Sequence, residues 1–420
     1  MPLWMIPMSY ALASVLGSFT LPRIEGALLP ALKTTVAIAS AQSLLSTVAS
    51  GMMALTGIVF SIAFVMVQFS AVAYSPRLVQ WLGRDGVLFH SMGIFIATFT
   101  YSLATLAWID RSGSGQVPLV SLWIVILLVI ASMFLFALLV QRITALSITN
   151  VLHFIGKRGR AVIRETFPRG ADVAAVIDAA EEARGDLGAV TQTLHYQGKP
   201  RSIARFDIPA LVRQASQADA VIVLDNAVGD TMVGDTVVLR VYGARAPLAE
   251  RSLLKAVHLS DERTFEQDPK YPLRLLVDIA IKALSPAIND PTTAVQALDQ
   301  IEDLLRRMAN CRLDAGYARD AGGRLRLVFP MPTWSDYLTL SFDEIRFYGA
   351  DSVQVMRRLR SALTGLLDSV TSPSRAAAVR SYLGHLDRMV EGSRMDPEDK
   401  AMARREDRQG LGLSRGAAAM

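Results

Sequence analysis

The segment from Ser46 to Arg77 constrains this chain most, because it is too long and too apolar for an ordinary soluble domain. It carries no charged residue between Val48 and Tyr74. A helix rises ~1.5 Å per residue, so ~20 residues cross the ~30 Å hydrocarbon core of a bilayer. The segment therefore predicts a membrane-spanning helix, and Ser75-Pro76-Arg77 predicts its end.

Apolar segments elsewhere in the first third predict an all-α membrane region with four transmembrane helices. The spans are predicted at residues 3–20, 48–74, 87–108 and 119–140. The first is expected to be retained rather than cleaved as a signal peptide, since no Lys or Arg precedes it.

Charged residues fall almost entirely after Gln141, where the composition becomes that of a soluble α+β protein. We predict five regions in chain order. They are a transmembrane domain (1–142), a juxtamembrane helical linker (143–187), a small β-rich module (188–245), a helical cytoplasmic domain (246–394) and a charged, partly disordered tail (395–420).

Small side chains recur at helical spacing on the second and third spans. Such residues let two membrane helices approach closely, so we predict that the two faces pack on one another. The predicted membrane packing face comprises Ser50, Ala54, Gly57 and Ser61 of the second span and Gly93, Ala97, Thr100 and Ala104 of the third.

No Asp, Glu, Lys or Arg lies in the middle of any span, which argues against a proton relay or a voltage sensor. A pore lined by hydroxyl and amide side chains remains open. The candidates for such a lining are Ser61, Gln68, Thr98, Thr100 and Ser102. The alternative, which we favour, is that these side chains form hydrogen bonds between helices.

The distribution of cations predicts the orientation and one partner. One side carries Arg77, Arg84, Arg142, Lys157, Arg158 and Arg160, and the other carries Arg23, Lys33 and Arg111. This excess predicts that the long C-terminal portion lies in the cytoplasm, and four spans place both termini on that same side. Residues 141–167 predict a helix that leaves the membrane, with Leu152 and Ile155 toward the bilayer and its cations on anionic lipid.

Composition and motifs exclude several other classes. We attribute the net charge of +5 to these membrane-flanking cations, so no nucleic-acid partner is expected. The chain has one cysteine, and its five histidines lack metal-ligand spacing, so no metal site, disulfide or cofactor is predicted. The sequence contains no nucleophile elbow, P-loop or nucleotide fingerprint; we assign no catalytic residue and rank an enzyme last.

Turn signals predict two hairpins in the soluble portion. One joins GAVTQTLHY to RSIARFD through residues 197–200, and the other turns at residues 320–323. A helix is predicted over Leu273–Leu284. Asp290 before Pro291 predicts the N-cap and first residue of the next helix.

Charged and amide side chains are concentrated around that helix junction. The candidate ligand-binding residues of this cytoplasmic cluster are Arg263, Gln267, Asp268, Asp278, Asn289 and Asp290. If they converge where the link folds back, they provide a site for an ion or a polar ligand. The alternative, which we favour, is a hydrogen-bond network that fixes the junction, because helix capping explains two of them without a ligand.

Four segments resemble one protein family. They are FSIAFVMVQFSAVAYSPRL, GIFIATFTYSL, RTFEQDP and DIAIKALSPAINDPTTA. Together they are similar to domain-of-unknown-function family 2254, DUF2254, over nearly the whole chain to about residue 390. The resemblance implies a multi-pass bacterial inner-membrane protein with a cytoplasmic C-terminal portion, and it implies no activity.

Two functions are consistent with these features. The first is a channel-like or sensory membrane protein, expected to be a homo-oligomer, with a cytoplasmic regulatory domain. The second is a membrane-anchored interaction scaffold or ligand-binding module without transport activity.

Overall fold

A computed structural model of the chain describes residues 5–28, 36–73, 86–107, 109, 117–144, 147–167, 187–313, 316–408 and 410. The protein forms two compact units, Met1–Ser147 and Ile148–Met420. The predicted helix stop at 75–77 and residues 168–186 of the predicted linker lie outside the described residues. The same holds for four of the cations used to predict orientation, Lys33, Arg77, Arg84 and Arg111.

Long apolar helices make up the described part of the first unit. They are α1 (Met5–Leu28), α2 (Ile38–Ala73), α3 (Gly86–Leu106) and α4 (Leu119–Thr144). Among the described residues, these four are long and apolar enough to cross a membrane. The prediction of four such helices is confirmed, and their placement in a membrane follows from length and composition.

Helix α3 is the central helix of this unit and contacts the other three. Its Phe95 is fully buried in an apolar cluster with Met52 and Val59 of α2 and Leu139 of α4. Outside this cluster, the Glu25 carboxylate of α1 accepts hydrogen bonds from the Leu119 and Val120 N–H groups, at 2.7 and 3.1 Å. A carboxylate at a helix N-terminus satisfies backbone donors that have no partner within the helix, so Glu25 caps α4.

Two sheets form the β-structure of the second unit. The strands are β1 (Val190–His195), β2 (Arg201–Phe206), β3 (Val221–Leu224), β4 (Thr231–Met232), β5 (Val237–Tyr242), β6 (Val257–Ser260), β7 (Tyr317–Arg319) and β8 (Leu325–Val328). One sheet has the order β1-β5-β3-β8-β7, with β3 and β8 parallel and the other pairs antiparallel. The other is antiparallel, with the order β4-β2-β6.

The sheet pairing confirms one predicted hairpin and contradicts the other. Strands β7 and β8 pair across the turn at 320–323, as predicted. The predicted hairpin of β1 with β2 is wrong, because β1 pairs with β5 and β2 pairs with β4 and β6. Burial of Leu194 and Ile203 in the core depends on these distant partners, which a local turn signal does not report. Strand β6 also comes from the domain predicted as helical, outside the hairpin predicted there.

Helices complete the second unit. They are α5 (Ile148–Thr166), α6 (Ile208–Gln217), α7 (Glu250–Lys255), α8 (Lys270–Ala283), α9 (Pro291–Met308), α10 (Trp334–Tyr348), α11 (Val353–Ser369), α12 (Pro373–Gly392) and α13 (Pro397–Ala403). Helix α8 packs against α9, α10 and α5, and α9 also packs against α11. The faces in contact are aliphatic and fully buried, as at Leu276 and Leu298.

Helix α5 buries its apolar face in the second unit, which contradicts the expectation that this face lies on the bilayer. Leu152 and Ile155 are buried, and α5 contacts both α8 and α9. Gly159 allows the close approach, since an added methyl group there would lie 2.7 Å from Leu304 of α9. The apolar stripe of α5 is therefore covered by protein; the prediction was wrong because an apolar helix face has the same pattern whether protein or lipid covers it.

Part of the tail predicted at 395–420 is folded. Helix α13 covers residues 397–403, and Asp407 is buried beside the equally buried Arg357, with 3.9 Å between their charged groups. Gln354 of α11 donates a hydrogen bond to the Gly410 carbonyl. These contacts fix the chain on α11 as far as residue 410.

Candidate functional site

Polar side chains on α3 make contacts between helices. Thr98 Oγ1 lies 3.1 Å from Ser132 Oγ of α4, and Thr100 forms a hydrogen bond with Ser14 of α1. Ser102 is buried and donates to the Thr98 carbonyl oxygen at 2.7 Å. Thr98 and Thr100 are therefore used in contacts between helices, and the Ser102 hydroxyl is satisfied within α3.

The small-residue face of α2 is different, because it is exposed along its length. Ser50, Ala54, Gly57 and Ser61 are all exposed, and so is Gln68. An added methyl group at Gly57 would meet no atom within 4 Å. The Ser61 hydroxyl donates to the Gly57 carbonyl oxygen at 3.0 Å, so it needs no partner from another helix. None of the residues that the structure describes covers this face.

The small faces of α2 and α3 do not pack on one another as predicted. Helix α2 contacts α3 through Met52 and Val59, which pack on Phe95. Gly93 of α3 instead faces α1, where an added methyl group would lie 2.6 Å from the Tyr10 ring. The reason is side-chain volume. The Tyr10 ring fills the groove that Gly93 leaves on α3, whereas Met52 and Val59 of α2 pack at a different place on α3, against Phe95.

Arg263 and Asp268 form an ion pair inside the second unit. Arg263 Nε lies 2.5 Å from Asp268 Oδ2, and the Asp268 side chain is 1% exposed. Burial raises the pKa of Asp268 above its ordinary value, although the Arg263 guanidinium acts in the opposite direction. Gly229, at φ +88°, lies against both side chains, and any side chain at that position would collide with them.

The neighbouring Gln267 contacts backbone. Its amide oxygen accepts a hydrogen bond from Phe206 N at 3.0 Å, and its amide nitrogen donates to Phe206 O at 3.2 Å. Gln267 thus satisfies both backbone groups at the end of β2, which is a structural use of the side chain.

Asp278 belongs to a second charged group in the middle of α8. Arg274 Nε donates to Asp278 Oδ1 at 2.6 Å, and Arg274 Nη2 donates to Glu344 Oε2 of α10 at 2.9 Å. The hydrogen bond from Arg274 lowers the pKa of Glu344, and the two carboxylates raise the pKa of Arg274. This network ties α8 to α10.

Asn289 and Asp290 lie in the link between α8 and α9. Asp290 N donates to the Ala283 carbonyl oxygen at 2.8 Å, and Asp290 Oδ1 accepts from Thr293 N at 3.1 Å. Asn289 has φ +49°, a conformation that Asn tolerates better than most residues. The predicted N-cap at Asp290 is confirmed.

The six predicted ligand residues thus occupy three places along α8. Arg263, Gln267 and Asp268 precede the helix, Asp278 lies within it, and the last two follow it. Fourteen residues of helix separate the first place from the last by ~21 Å. Within the described ranges, no group of three or more His, Cys, Asp or Glu side chains could hold a metal ion.

Sequence reasoning missed three residues of these networks. Arg274 precedes Asp278 by one helical turn, and that spacing is a usable signal. Gly229 and Glu344 come from distant segments, and no local pattern connects them to α8.

The exposed face of α5 is basic. His153, Lys157, Arg158 and Arg164 are exposed on it, together with Glu165. Arg160 is half-buried and bonds to Asp303 of α9 at 3.0 Å.

Comparison with known proteins finds relatives over most of the chain. A family model described as "Predicted membrane protein (DUF2254)" matches residues 1–365. The uncharacterized proteins Rv1290c of Mycobacterium tuberculosis and Mb1321c of Mycobacterium bovis are each 27% identical over 417 residues, covering 95% of this chain and 78% of the relative. No solved structure matches the chain.

Proposed function

Because the chain belongs to the DUF2254 family of predicted membrane proteins, we propose a membrane function for it: a channel-like protein regulated by its C-terminal unit. The channel is a homo-oligomer in the bacterial inner membrane, with both termini in the cytoplasm. The observation that carries this proposal is the exposed face of α2.

That face has the length and polarity that a pore lining requires. From Ser46 to Gln68 it extends ~33 Å, which matches the hydrocarbon core of a bilayer. Small, hydroxyl and amide side chains occupy it except at Phe64, which is large, apolar and exposed, as are Ile58 and Phe60 on either side of the face. Such a stripe loses dispersion contacts when it faces lipid, and it suits either a water-filled path or close helix packing between subunits.

Cysteine accessibility distinguishes these environments. The single cysteine, Cys311, is buried in the second unit, so Cys311→Ser gives a cysteine-free background. In that background, Gly57→Cys and Ser61→Cys test the stripe, and Ile58→Cys and Phe60→Cys serve as controls that face lipid.

A charged, membrane-impermeant thiol reagent should label the stripe variants in proteoliposomes at least about tenfold faster than the controls, because thiolates form in water and not in lipid. Labelling of the stripe should also reduce ion flux through the proteoliposomes. A bilayer that stays sealed under all conditions, with all four positions equally unreactive, would contradict the channel.

The second candidate is a membrane-anchored ligand-binding module or scaffold without transport. The hydroxyl groups of the α2 stripe favour this candidate. Ser50 and Ser61 both donate to carbonyl groups of their own helix, so neither hydroxyl needs water as a partner. Efficient cross-linking of Gly57→Cys between subunits, together with a sealed bilayer, would select this candidate.

We also propose that anionic lipid is the partner of the basic face of α5. Helix α5 begins four residues after α4 ends, and cations beside a membrane segment attract anionic headgroups at about 1 kcal/mol each. A polarity-sensitive dye at Lys157→Cys should shift to shorter wavelength in nanodiscs that contain phosphatidylglycerol, and a dye at the exposed Arg380→Cys should not. Identical emission from Lys157→Cys with and without anionic lipid would exclude this contact.

A further inference from the structure

A basic cleft lies in the second unit where α10 and α12 end. It has a volume of about 570 Å³, within the range of small-molecule sites. Arg346 of α10, Arg388 of α12 and Arg394 line it, together with His385, and Asp351 is the one carboxylate in the lining. The lining therefore carries three guanidinium groups against one carboxylate.

Two buried arginines of this unit are each matched by carboxylates. Arg326 pairs with Asp219 and Asp320. Arg358 pairs with Asp299 and Glu302. This is the usual arrangement for a guanidinium that is not fully hydrated.

At the cleft, Arg388 and Arg394 are exposed and Arg346 is half-buried. Among the described residues, no carboxylate pairs with Arg388 or Arg394. Arg346 lies 3.7 Å from Asp343, and its buried Nε–H has no acceptor among the residues described. Asp351 accepts a hydrogen bond from the backbone N–H of Arg394 at 3.3 Å, so part of its hydrogen-bonding capacity is already used.

Helix dipoles reduce the charge excess but do not cancel it. Helices α10 and α12 end at the cleft, and each C-terminus carries about half a negative charge. Helix α11 begins two residues after Asp351, and its N-terminus contributes about half a positive charge. The lining side chains carry a net two positive charges, and Asp343 offsets the charge of Arg346 from outside the lining. With the helix dipoles included, an excess of about half a positive charge remains.

The walls of the cleft are held by contacts behind it. Tyr382 of α12 bonds to Thr339 of α10 at 2.9 Å and packs on Phe342. Leu386 and Val390, on the inner side of α12, are buried. The backbone of the cleft walls is therefore positioned before a ligand binds, which favours affinity.

We propose that this cleft binds a phosphorylated small molecule, with its phosphate groups held by Arg346, Arg388 and Arg394. Planar guanidinium groups match phosphate oxygens in pairs, and a volume of about 570 Å³ accommodates a small molecule. The site goes beyond the proposed channel and does not rest on it. Family membership does not imply it, since Arg388 and Arg394 lie beyond residue 365, where the family match ends.

Calorimetry with inorganic pyrophosphate tests the site on the full-length protein in maltoside micelles, which contain no phosphate, at constant ionic strength. The wild type should bind pyrophosphate. Loss of two charge-assisted contacts in the double variant Arg388→Gln/Arg394→Gln should raise Kd about 100-fold. The control Arg380→Gln removes an exposed arginine of the same helix outside the lining and should stay within about twofold.

A second variant, expected to lower Kd, distinguishes loss of the site from loss of folding. Asp351→Asn removes the opposing carboxylate and should tighten binding about threefold or more, because a like charge is removed. A wild type that does not bind pyrophosphate would overturn the proposal, as would a double variant with unchanged Kd. Titration with a short-chain phosphatidylglycerol separates the two sources of phosphate: tighter binding of this lipid than of pyrophosphate would overturn the assignment to a soluble ligand.

Discussion

Asp268 shows how a carboxylate that could hold a ligand can instead be enclosed by protein. Arg263 and the Lys270 N–H group contact its two oxygens, and Gly229 leaves room for no other group. Asp278 and Asp290 are likewise occupied by Arg274 and Thr293. At the residue scale, five of the six candidate side chains are thus used within the fold, and that of Asn289 is exposed.

The raised pKa of Asp268 makes a testable prediction. Burial raises the pKa in the folded state above the unfolded value, so the folded state binds more protons in the pH interval between the two. The free energy of unfolding should therefore fall as pH rises through that interval, by about 1.4 kcal/mol per pH unit. Asp268→Asn does not titrate and should lose this dependence, which urea unfolding followed by circular dichroism measures.

Glu344→Gln provides the control of opposite sign. The hydrogen bond from Arg274 lowers the pKa of Glu344, so its contribution is present above pH 4.5 and is lost as pH falls through the folded pKa. The variant should therefore lose stability at neutral pH and converge on the wild type in acid. If Asp268→Asn instead lost stability at neutral pH and converged on the wild type in acid, as expected for Glu344→Gln, burial would not be the main influence on the pKa of Asp268.

What the sequence predicts at this scale depends on distance along the chain. The Asp290 cap was predictable because the cap, the proline and the capped N–H group lie within four residues. The Arg274–Glu344 bond joins residues 70 positions apart, and Gly229 meets Asp268 only after the β-structure has formed. Such contacts follow from tertiary packing, which a single sequence does not encode locally.

At the scale of elements, α3 shows that a small-residue stripe does not specify its partner. Its stripe was predictable, but α1 occupies it in place of α2, because the Tyr10 ring fits the space over Gly93. The Tyr10 hydroxyl also lies 3.1 Å from His90 Nδ1, which adds a polar contact to the same interface.

Substitution of Gly93 should therefore destabilise the first unit. Gly93→Ala places a methyl group 2.6 Å from the Tyr10 ring, and displacing that ring costs about 1–3 kcal/mol. The matched control is Gly51→Ala on α2, where an added methyl group meets nothing within 4 Å and helix propensity improves. Thermal unfolding in micelles should show a lower midpoint for the first and an equal or higher one for the second. Equal effects from both would show that the Tyr10 contact is unimportant.

At the scale of the whole molecule, the chain divides between Ser147 and Ile148, so α5 belongs to the second unit. Its inner face buries five aliphatic side chains: Val151, Leu152, Ile155, Val162 and Ile163. Burial of such side chains stabilises a fold by roughly 1.5–3 kcal/mol each, which sums to about 10 kcal/mol. That is comparable to the entire stability of an ordinary domain.

We therefore expect a fragment of residues 148–410 to fold without the membrane helices, and a fragment of residues 168–410, which lacks α5, to aggregate or remain unfolded. Circular dichroism and gel filtration of the two fragments measure the difference. Within the longer fragment, Gly159→Leu should prevent docking of α5, because even a methyl group there would lie 2.7 Å from Leu304. Arg158→Ala changes the adjacent exposed residue and should be tolerated. Folding of the shorter fragment with an unchanged unfolding midpoint would mean that α5 is a linker after all, and that its apolar face is available to the membrane.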